Sequence, residues 1–163
     1  MIPPHIRPAN EADATEIFAL VNELAAFEKL TDEVDATEES LSAALFGPNP
    51  RVHCEIAEAA GGRIVGFALW FYTFSTFRGR HGVWLEDLFV RPDWRRKGFG
   101  KALLAEVAKR CVSENLPRLE WSVLDWNQQA IDFYGAQGAK LLDDWTICRV
   151  TDAALWRLAD NAR

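Results

Sequence analysis

The stretch from Trp84 to Cys111 reads W-L-E-D-L-F-V-R-P-D-W-R-R-K-G-F-G-K-A-L-L-A-E-V-A-K-R-C. Leu85, Leu88, Phe89 and Val90 pack like a buried strand, Arg91-Pro92-Asp93 breaks the run, and Leu103, Leu104, Val107 and Ala108 recur at helical spacing. The pattern predicts strand, basic glycine turn, helix. The turn, Arg95-Arg96-Lys97-Gly98-Phe99-Gly100-Lys101, sets backbone N–H groups at a helix start, where no carbonyl of the helix accepts from them. Such an end suits a phosphate. Gly98 and Gly100, lacking Cβ atoms, are expected to take dihedrals closed to other residues and to let a phosphate approach the main chain. A dinucleotide fingerprint would need a third glycine where Leu103 stands, and a Walker loop would need Ser or Thr where Ala102 stands. A basic surface turn with no ligand fits the same letters.

Length and composition bound the rest. A chain of 163 residues is expected to form one domain, residues 1–163, with room for a sizeable core. Hydrophobic content of 49%, with seven Trp and ten Phe, excludes a disordered or fibrous chain. No apolar run reaches the roughly 20 residues of a membrane helix, and the opening Met-Ile-Pro-Pro-His-Ile lacks a signal-peptide layout, so a cytoplasmic protein is expected. Cys54, Cys111 and Cys148 are too scattered for a zinc ribbon and odd in number for a disulfide framework; reduced, mostly buried thiols are expected. His5, His53 and His81 show no metal-ligand spacing, and no metal is expected. The net charge of −6 disfavours a nucleic-acid partner. Basic residues cluster around the turn, at 91, 95, 96, 97 and 101, and acids gather at Glu28, Asp32, Glu33, Asp35, Glu38 and Glu39. That sorting suits an anionic cofactor and a cationic substrate; acids that merely solvate a loop and a helix start account for it equally.

Along the chain, a short strand ends near Ile6-Arg7-Pro8. Asn10, with Asp13 three residues on, caps a helix whose buried stripe is Ile17, Leu20, Val21, Leu24 and Phe27. Thr37 caps a second helix with Leu41, Ala44 and Leu45, stopped at Gly47-Pro48. Val52 to Ala59 and Ile64 to Thr73 read as a hairpin, the second strand covered on both faces, and 74–82 as a loop. After the turn and its helix, Leu119 to Leu124 reads as a strand. Asn127 then caps a helix from Gln128 to Gln137 that Gly138 stops. Lys140 to Asp144 and Trp145 to Val150 read as a closing strand pair. Thr151 caps a last helix with Leu155, Leu158 and Ala159 inward.

Arg95-x-x-Gly98-x-Gly100 before an apolar helix resembles the coenzyme A pyrophosphate signature of the GNAT N-acetyltransferase superfamily, (Gln/Arg)-x-x-Gly-x-(Gly/Ala). The Leu85–Val90 strand, Trp126-Asn127-x-x-Ala130-Ile131-x-Phe133-Tyr134, Gly138-Ala139, Ile6-Arg7-Pro8-Ala9 and the segment Asn22 to Glu28 are similar to the spermidine/spermine (diamine) and thialysine N-acetyltransferase branch. The resemblance implies a mixed α/β (α+β) GNAT fold: a mostly antiparallel sheet of about six or seven strands, splayed at the cofactor site, with helices on both faces. It implies acetyl-CoA as donor and a homodimer with acids of both subunits near the substrate. By position, Leu88, Phe89 and Val90 hold the pantetheine arm and thioester. Arg95, Arg96, Lys97, Gly98, Phe99, Gly100 and Lys101 hold the pyrophosphate, and Asn127, Gln128, Gln129 and Ala130 make a further coenzyme A contact. Tyr134 stands where the family carries the acid that protonates the leaving thiolate; a phenol near pKa about 10 keeps its proton until a sulfur anion develops. A helix tyrosine packing on Phe133 is the bland account.

Glu86 stands where the family has a carboxylate that binds the amine and accepts its proton, directly or through water, since an ammonium is no nucleophile. A salt bridge to Arg78 or Arg80 is the competing account of a Glu in an apolar strand. Asp87, expected on the opposite face by alternation, is assigned to structure. Phe27, Glu28, Glu120, Trp121 and Ser122 match substrate-lining positions, Phe27 where polyamine-acetylating members carry Tyr; Asp144 matches an acid of a late loop that is shorter here. The implied reaction is attack by a primary amine of a diamine, polyamine or lysine-like amino acid on acetyl-CoA in a ternary complex, aided by main-chain N–H groups. Acetylation of a protein lysine or N-terminus, and a non-catalytic acyl-CoA sensor, are the alternatives.

Overall fold

The computed structural model describes residues 4–162, so the first three residues of the stretch read for a signal layout lie outside it. The chain divides into two compact units, Met1–Val123 and Leu124–Arg163.

The first unit is an open five-stranded sheet, β1 (His5–Pro8), β2 (His53–Ala59), β3 (Arg63–Ser75), β4 (Arg80–Val90) and β5 (Leu119–Glu120), in that spatial order. The first four run antiparallel to their neighbours, and β5 lies parallel to β4. With helices between them, this is the expected mixed α/β fold, with a strand count slightly below expectation. Three helices accompany the sheet: α1 (Ala14–Glu28), α2 (Glu38–Phe46) and α3 (Phe99–Ser113). The predicted capping box opens the chain toward α1: the Asn10 side chain accepts from Ala12 N–H at 3.0 Å, and Asp13 accepts from Asn10 N–H at 2.8 Å. Arg7 of β1 grips Asp13 through both guanidinium ends, at 2.7 and 2.8 Å, while its Nε donates to Glu58 at 2.8 Å. Thr37 caps α2 as read from its sequence, and Thr37 and Ser40 exchange hydrogen bonds.

Alternation sorts the sheet into two faces. Cys54, Ile56, Phe67, Leu69 and Phe89 join Ile17 and Leu20 of α1 and Leu45 of α2 in one core cluster. Each fully buried aliphatic there contributes about 1.5–3 kcal/mol. Trp70 turns the other way, and Arg110 of α3 lies over its ring at 5.4 Å. Helices thus cover both faces.

Three expectations are corrected in this unit. The loop read at 74–82 is shorter, because β3 continues to Ser75 and β4 begins at Arg80, with Ser75 facing Arg80. The strand read over Leu119 to Leu124 reduces to Leu119–Glu120, since β5 pairs with β4 only at Val83 and Trp84. Arg91, read with the basic turn, instead ties β4 to α1: its guanidinium reaches Glu23 at 2.7 Å, Glu16 at 3.1 Å and the Ile64 carbonyl at 2.8 Å.

The second unit holds α4 (Gln128–Ala136) and α5 (Asp152–Ala159). Asn127 caps α4, accepting from Ala130 N–H at 3.2 Å, and Gly138 ends it with φ 92°. The strand pair read at 140–150 is absent among the described residues, which explains the lower strand count. A strand needs a neighbour for its N–H and C=O groups, and no strand pairs with this segment, whose Leu141, Leu142, Trp145 and Ile147 are exposed. Thr151 precedes α5 without a side-chain cap bond, and Leu155 and Leu158, expected inward, are exposed.

Candidate active site

The organising feature is a register slip in β4. Asp87 faces Leu69 of β3, but Leu85 faces Trp70, so Glu86 is an extra residue with no partner across the pair. Bulges of this kind break a strand's alternation and recur next to active sites. The expectation that Asp87 simply alternates away from Glu86 fails for this reason. Glu86 is exposed, and its carboxylate accepts from the Trp84 indole N–H at 2.8 Å. Neither Arg78 nor Arg80 forms an ion pair with it among the described residues, so the salt-bridge account falls, and so does the premise that Glu86 is buried.

Asp87 shares a row with Leu69 and hence the face covered by α1. Burial first, then the charges of Glu86 and of Glu28, at the end of α1, push its carboxyl up to about 7. Burial raises Glu28 as well. Glu28 therefore belongs to an acidic group with β4, whereas Glu38 and Glu39 occupy the first turn of α2, where acids favour a helix start.

Past Trp84, no strand lies on the β5 side of β4 among the described residues. The half of β4 that carries Leu88, Phe89 and Val90 therefore stands at an open edge, as the splayed sheet was expected to provide. The chain then turns through Pro92–Trp94, and Gly98 stands at the start of α3 with φ 89° and no side-chain cap. The bond from Ala102 N–H to Gly98 C=O, 2.9 Å, opens the helix, so the N–H groups of Phe99, Gly100 and Lys101 precede its first internal acceptor. Gly98 alone of the two glycines uses left-handed backbone; Gly100 is an ordinary first-turn residue of α3. Arg96 also has positive φ, 59°, a conformation unusual for a residue with a Cβ.

The side chains of the turn divide. Arg96, Lys97 and Lys101 are exposed and form no ion pair among the described residues; Lys97 lies 4.8 Å over the Trp94 ring. Phe99 is buried, edge-on to Trp94 at 5.8 Å, leaving its N–H as the part that faces the turn. Arg95 points inward: its guanidinium sits 4.5 Å from the Phe27 ring and 5.5 Å from the Phe89 ring, and its Nε donates to the Val90 carbonyl at 2.9 Å. It joins α1 to β4, a role the motif alone did not reveal. Free amides, a glycine at positive φ and three cations without ion pairs among the described residues fit a pyrophosphate.

Of the remaining predicted residues, Glu120 is ion-paired with Arg118 at 2.8 Å, Trp121 is half-buried and Ser122 exposed. Phe27 packs beneath Arg95 as above. In the second unit, Asn127 is engaged as the α4 cap, Gln128 donates to Asp132 at 2.7 Å, and Gln129 is exposed. The half-buried Tyr134 ring packs against Phe133 at 5.2 Å between centroids. Asp144 is exposed. A groove of about 690 Å³ between the start of α1 and the length of α2, lined by Glu11, Thr15, Glu38 and Phe46 among others, contains none of these residues. No group of side chains suited to hold a metal occurs among the described residues. Trp84 and Asp87 are the candidates sequence reasoning missed; periodicity places a bulge nowhere, and only the pairing of β3 with β4 reveals it.

Comparison with known proteins identifies the family. The model of the acetyltransferase (GNAT) family matches residues 15–139. The thialysine N-epsilon-acetyltransferase of Bos taurus is 38% identical, over 94% of this chain and 96% of its own. The L-ornithine N5-acetyltransferase of Arabidopsis thaliana is 32% identical, over 92% and 85%. Among solved structures, an integron cassette protein from the mobile metagenome of V. cholerae shares the fold at TM-score 0.81 and 24% identity, covering 99% of this chain and 100% of that one. The chain therefore belongs to the acetyltransferase (GNAT) family, in the branch of the thialysine and spermidine/spermine enzymes, and is an N-acetyltransferase.

Proposed function

We propose that the protein transfers the acetyl group of acetyl-CoA to a primary amine of a small cationic acceptor, a diamine or polyamine or a thialysine- or lysine-like amino acid, by direct attack in a ternary complex. The observation that carries this reading is the turn at Gly98, with its free amides and unpaired Arg96, Lys97 and Lys101, directly following an open-edged strand that bears Glu86 and Asp87. When bound, the donor supplies an activated acyl carbon. The chain's residues supply the rest: the amides of Phe99, Gly100 and Lys101 hold the pyrophosphate with the three cations, and the exposed edge at Leu88, Phe89 and Val90 orients the thioester arm. Asn127, Gln128, Gln129 and Ala130 add a second contact. Glu86 binds the ammonium and accepts its proton, directly or through water, with Glu28 beside it and Phe27, Glu120, Trp121, Ser122 and Asp144 bounding the acceptor. Tyr134 gives its proton to the departing thiolate.

The family match runs from the first unit into the second, which supports treating residues 1–163 as one catalytic domain. A cytoplasmic homodimer is the corresponding assembly, and light scattering should read twice the 18.4 kDa chain mass. No helix of the described residues is long and apolar enough to cross a membrane. The test is thiol release from acetyl-CoA with putrescine, spermidine, lysine, thialysine and a neutral amine. Turnover is expected with the cationic acceptors and to fall about 10²-fold or more in Tyr134→Phe. Preference for the neutral amine, or equal rates in Tyr134→Phe, would remove the acceptor class or the role of Tyr134.

A further inference from the structure

Across the β3–β4 pair, Phe67 faces Phe89, Gly66 faces Val90 and Ala68 faces Leu88. Arg91 N–H donates to the Val65 carbonyl at 2.9 Å, so the peptide joining Val90 to Arg91 turns its N–H toward β3. In a trans peptide the C=O points the opposite way. The Val90 carbonyl therefore points out of the open edge of β4, where no strand lies past Trp84 among the described residues. Residues of an antiparallel pair alternate between bonding to the neighbour and facing away from it. By that alternation Val90 N–H and both backbone groups of Leu88 face outward as well.

One of these edge groups is already engaged. Trp94 N–H donates to the Arg91 carbonyl at 2.9 Å and Arg95 N–H to the Pro92 carbonyl at 3.1 Å, and this tight turn carries Arg95 back onto the strand it has just left. Its Nε donates to the Val90 carbonyl at 2.9 Å. Beyond Nε, the guanidinium lies 4.5 Å from the Phe27 ring of α1 and 5.5 Å from the Phe89 ring of β4, contacts that a planar cation makes best. Arg95 is half-buried in this position, whereas Arg96, Lys97 and Lys101 are exposed. The first cation of the turn is thus committed to the strand, and the other three are left for a phosphate.

An extended arm bearing amide groups binds a strand edge by exchanging N–H···O=C bonds with alternate residues, here 88 and 90. With the Val90 carbonyl filled, the edge offers two donors, Leu88 N–H and Val90 N–H, and one acceptor, Leu88 C=O. A second register, displaced by two residues toward the turn, would need the Val90 carbonyl as its acceptor. That displacement is about 6.8 Å, whereas a misplacement of about 1 Å is enough to cost a reaction about 10²-fold. Resting on the acetyl-transfer reading above, we propose that Arg95 is a positioning residue: by filling the Val90 carbonyl it leaves a single register along the β4 edge for the amide-bearing arm of the donor, and so sets where the thioester stands relative to Glu86. The pyrophosphate seat at Gly98 does not depend on it.

Wild type, Arg95→Gln and Arg95→Met, each as the full chain, test this. Gln carries its amide nitrogen as many bonds from Cα as Arg carries Nε, and can donate to the Val90 carbonyl; Met has a methyl group there and cannot. Both variants lose the planar cation from between the rings, so any loss of packing is common to them and their difference reads the carbonyl bond. Val-Arg occurs only at Val90-Arg91, so isotope labelling of valine at the carbonyl carbon and arginine at nitrogen isolates this peptide by NMR. Without donor, the Val90 carbonyl carbon is expected near its wild-type position in Arg95→Gln and upfield of it in Arg95→Met. Calorimetry with acetyl-CoA is expected to give a Kd within about threefold of wild type for both, with unchanged salt dependence, because the exposed cations carry the phosphate contacts. With the amine that wild type turns over fastest, kcat is expected to fall about 10-fold or more in Arg95→Met, as the loss of one hydrogen bond from a charged donor implies. In Arg95→Gln it is expected to recover to within about threefold of wild type.

A Val90 carbonyl carbon that does not move in Arg95→Met overturns the proposal. So does a wild-type kcat in Arg95→Met, or an equal loss of kcat in the two variants; either result leaves acetyl transfer standing. A loss of acetyl-CoA affinity of about 10-fold or more in both variants, with a flatter salt dependence, overturns it in favour of a phosphate contact by Arg95. If wild type acetylates no amine, the function proposed above fails, and this assignment fails with it.

Discussion

Replacing Asp87 with Asn should make the protein more stable, and by an amount that grows with pH. The carboxyl, ordinarily near 3.8, is pushed to about 7 by burial and by Glu86 and Glu28. Between those values the unfolded chain gives up this proton while the folded chain keeps it. The folded state therefore binds more protons, and stability falls as pH rises across the window. The contribution is intact below the ordinary aspartate value and lost once pH passes the folded one. At about 1.4 kcal/mol per pH unit, a gap of about three units removes about 4 kcal/mol by pH 8. Asn keeps the shape and carries no charge, so its variant lacks this slope. Urea unfolding of both proteins at pH 5, 6, 7 and 8 isolates the effect, because every other titrating group is shared. The difference in unfolding free energy should widen steadily with pH and level off above pH 8. Parallel curves would show that Asp87 ionises like a solvent carboxyl, and the electrostatic account of the β4 acids would be wrong.

Gly98→Ala should weaken acetyl-CoA binding about 5- to 30-fold by calorimetry, because φ 89° costs a residue with a Cβ about 1–2 kcal/mol. Gly100→Ala, inside the first turn of α3, should not lower the thermal midpoint. Arg95→Ala should destabilise by about 1–2 kcal/mol in urea, through loss of the two ring contacts and the Val90 bond, and Arg95→Lys should recover little, since Lys offers no planar face. Asp13→Asn should cost about 2–3 kcal/mol at pH 7, where Arg7 holds this carboxyl below its ordinary value. That cost should shrink as pH falls below about 4, as a depressed carboxyl requires.

Local chemistry is what the letters carried well. Asn10 with Asp13, Thr37, Asn127 and Gly138 mark helix ends through side-chain bonds or backbone freedom that depend on a few neighbours, and all four act as read. The strand, turn and helix around Gly98 are equally local. Long-range pairing was harder to see. The bulge at Glu86 exists only because β3 and β4 meet in that register, so alternation misassigned Asp87. Arg91 and Arg95 look like parts of a basic turn, yet partners on α1, Glu16, Glu23 and Phe27, draw both away from it. The segment 140–150 has the apolar content of strands, but content supplies no neighbour for its backbone, and its Trp145 and Ile147 stay exposed.

The central claim is that backbone amides at the start of α3 seat the pyrophosphate of acetyl-CoA. Calorimetric titration of the protein with acetyl-CoA and with acetyl-pantetheine, which lacks the pyrophosphate and nucleotide, tests it most directly. The account predicts saturable acetyl-CoA binding that weakens with salt, and acetyl-pantetheine binding at least 10²-fold weaker. Equal affinity for the two, or no acetyl-CoA binding, would contradict it.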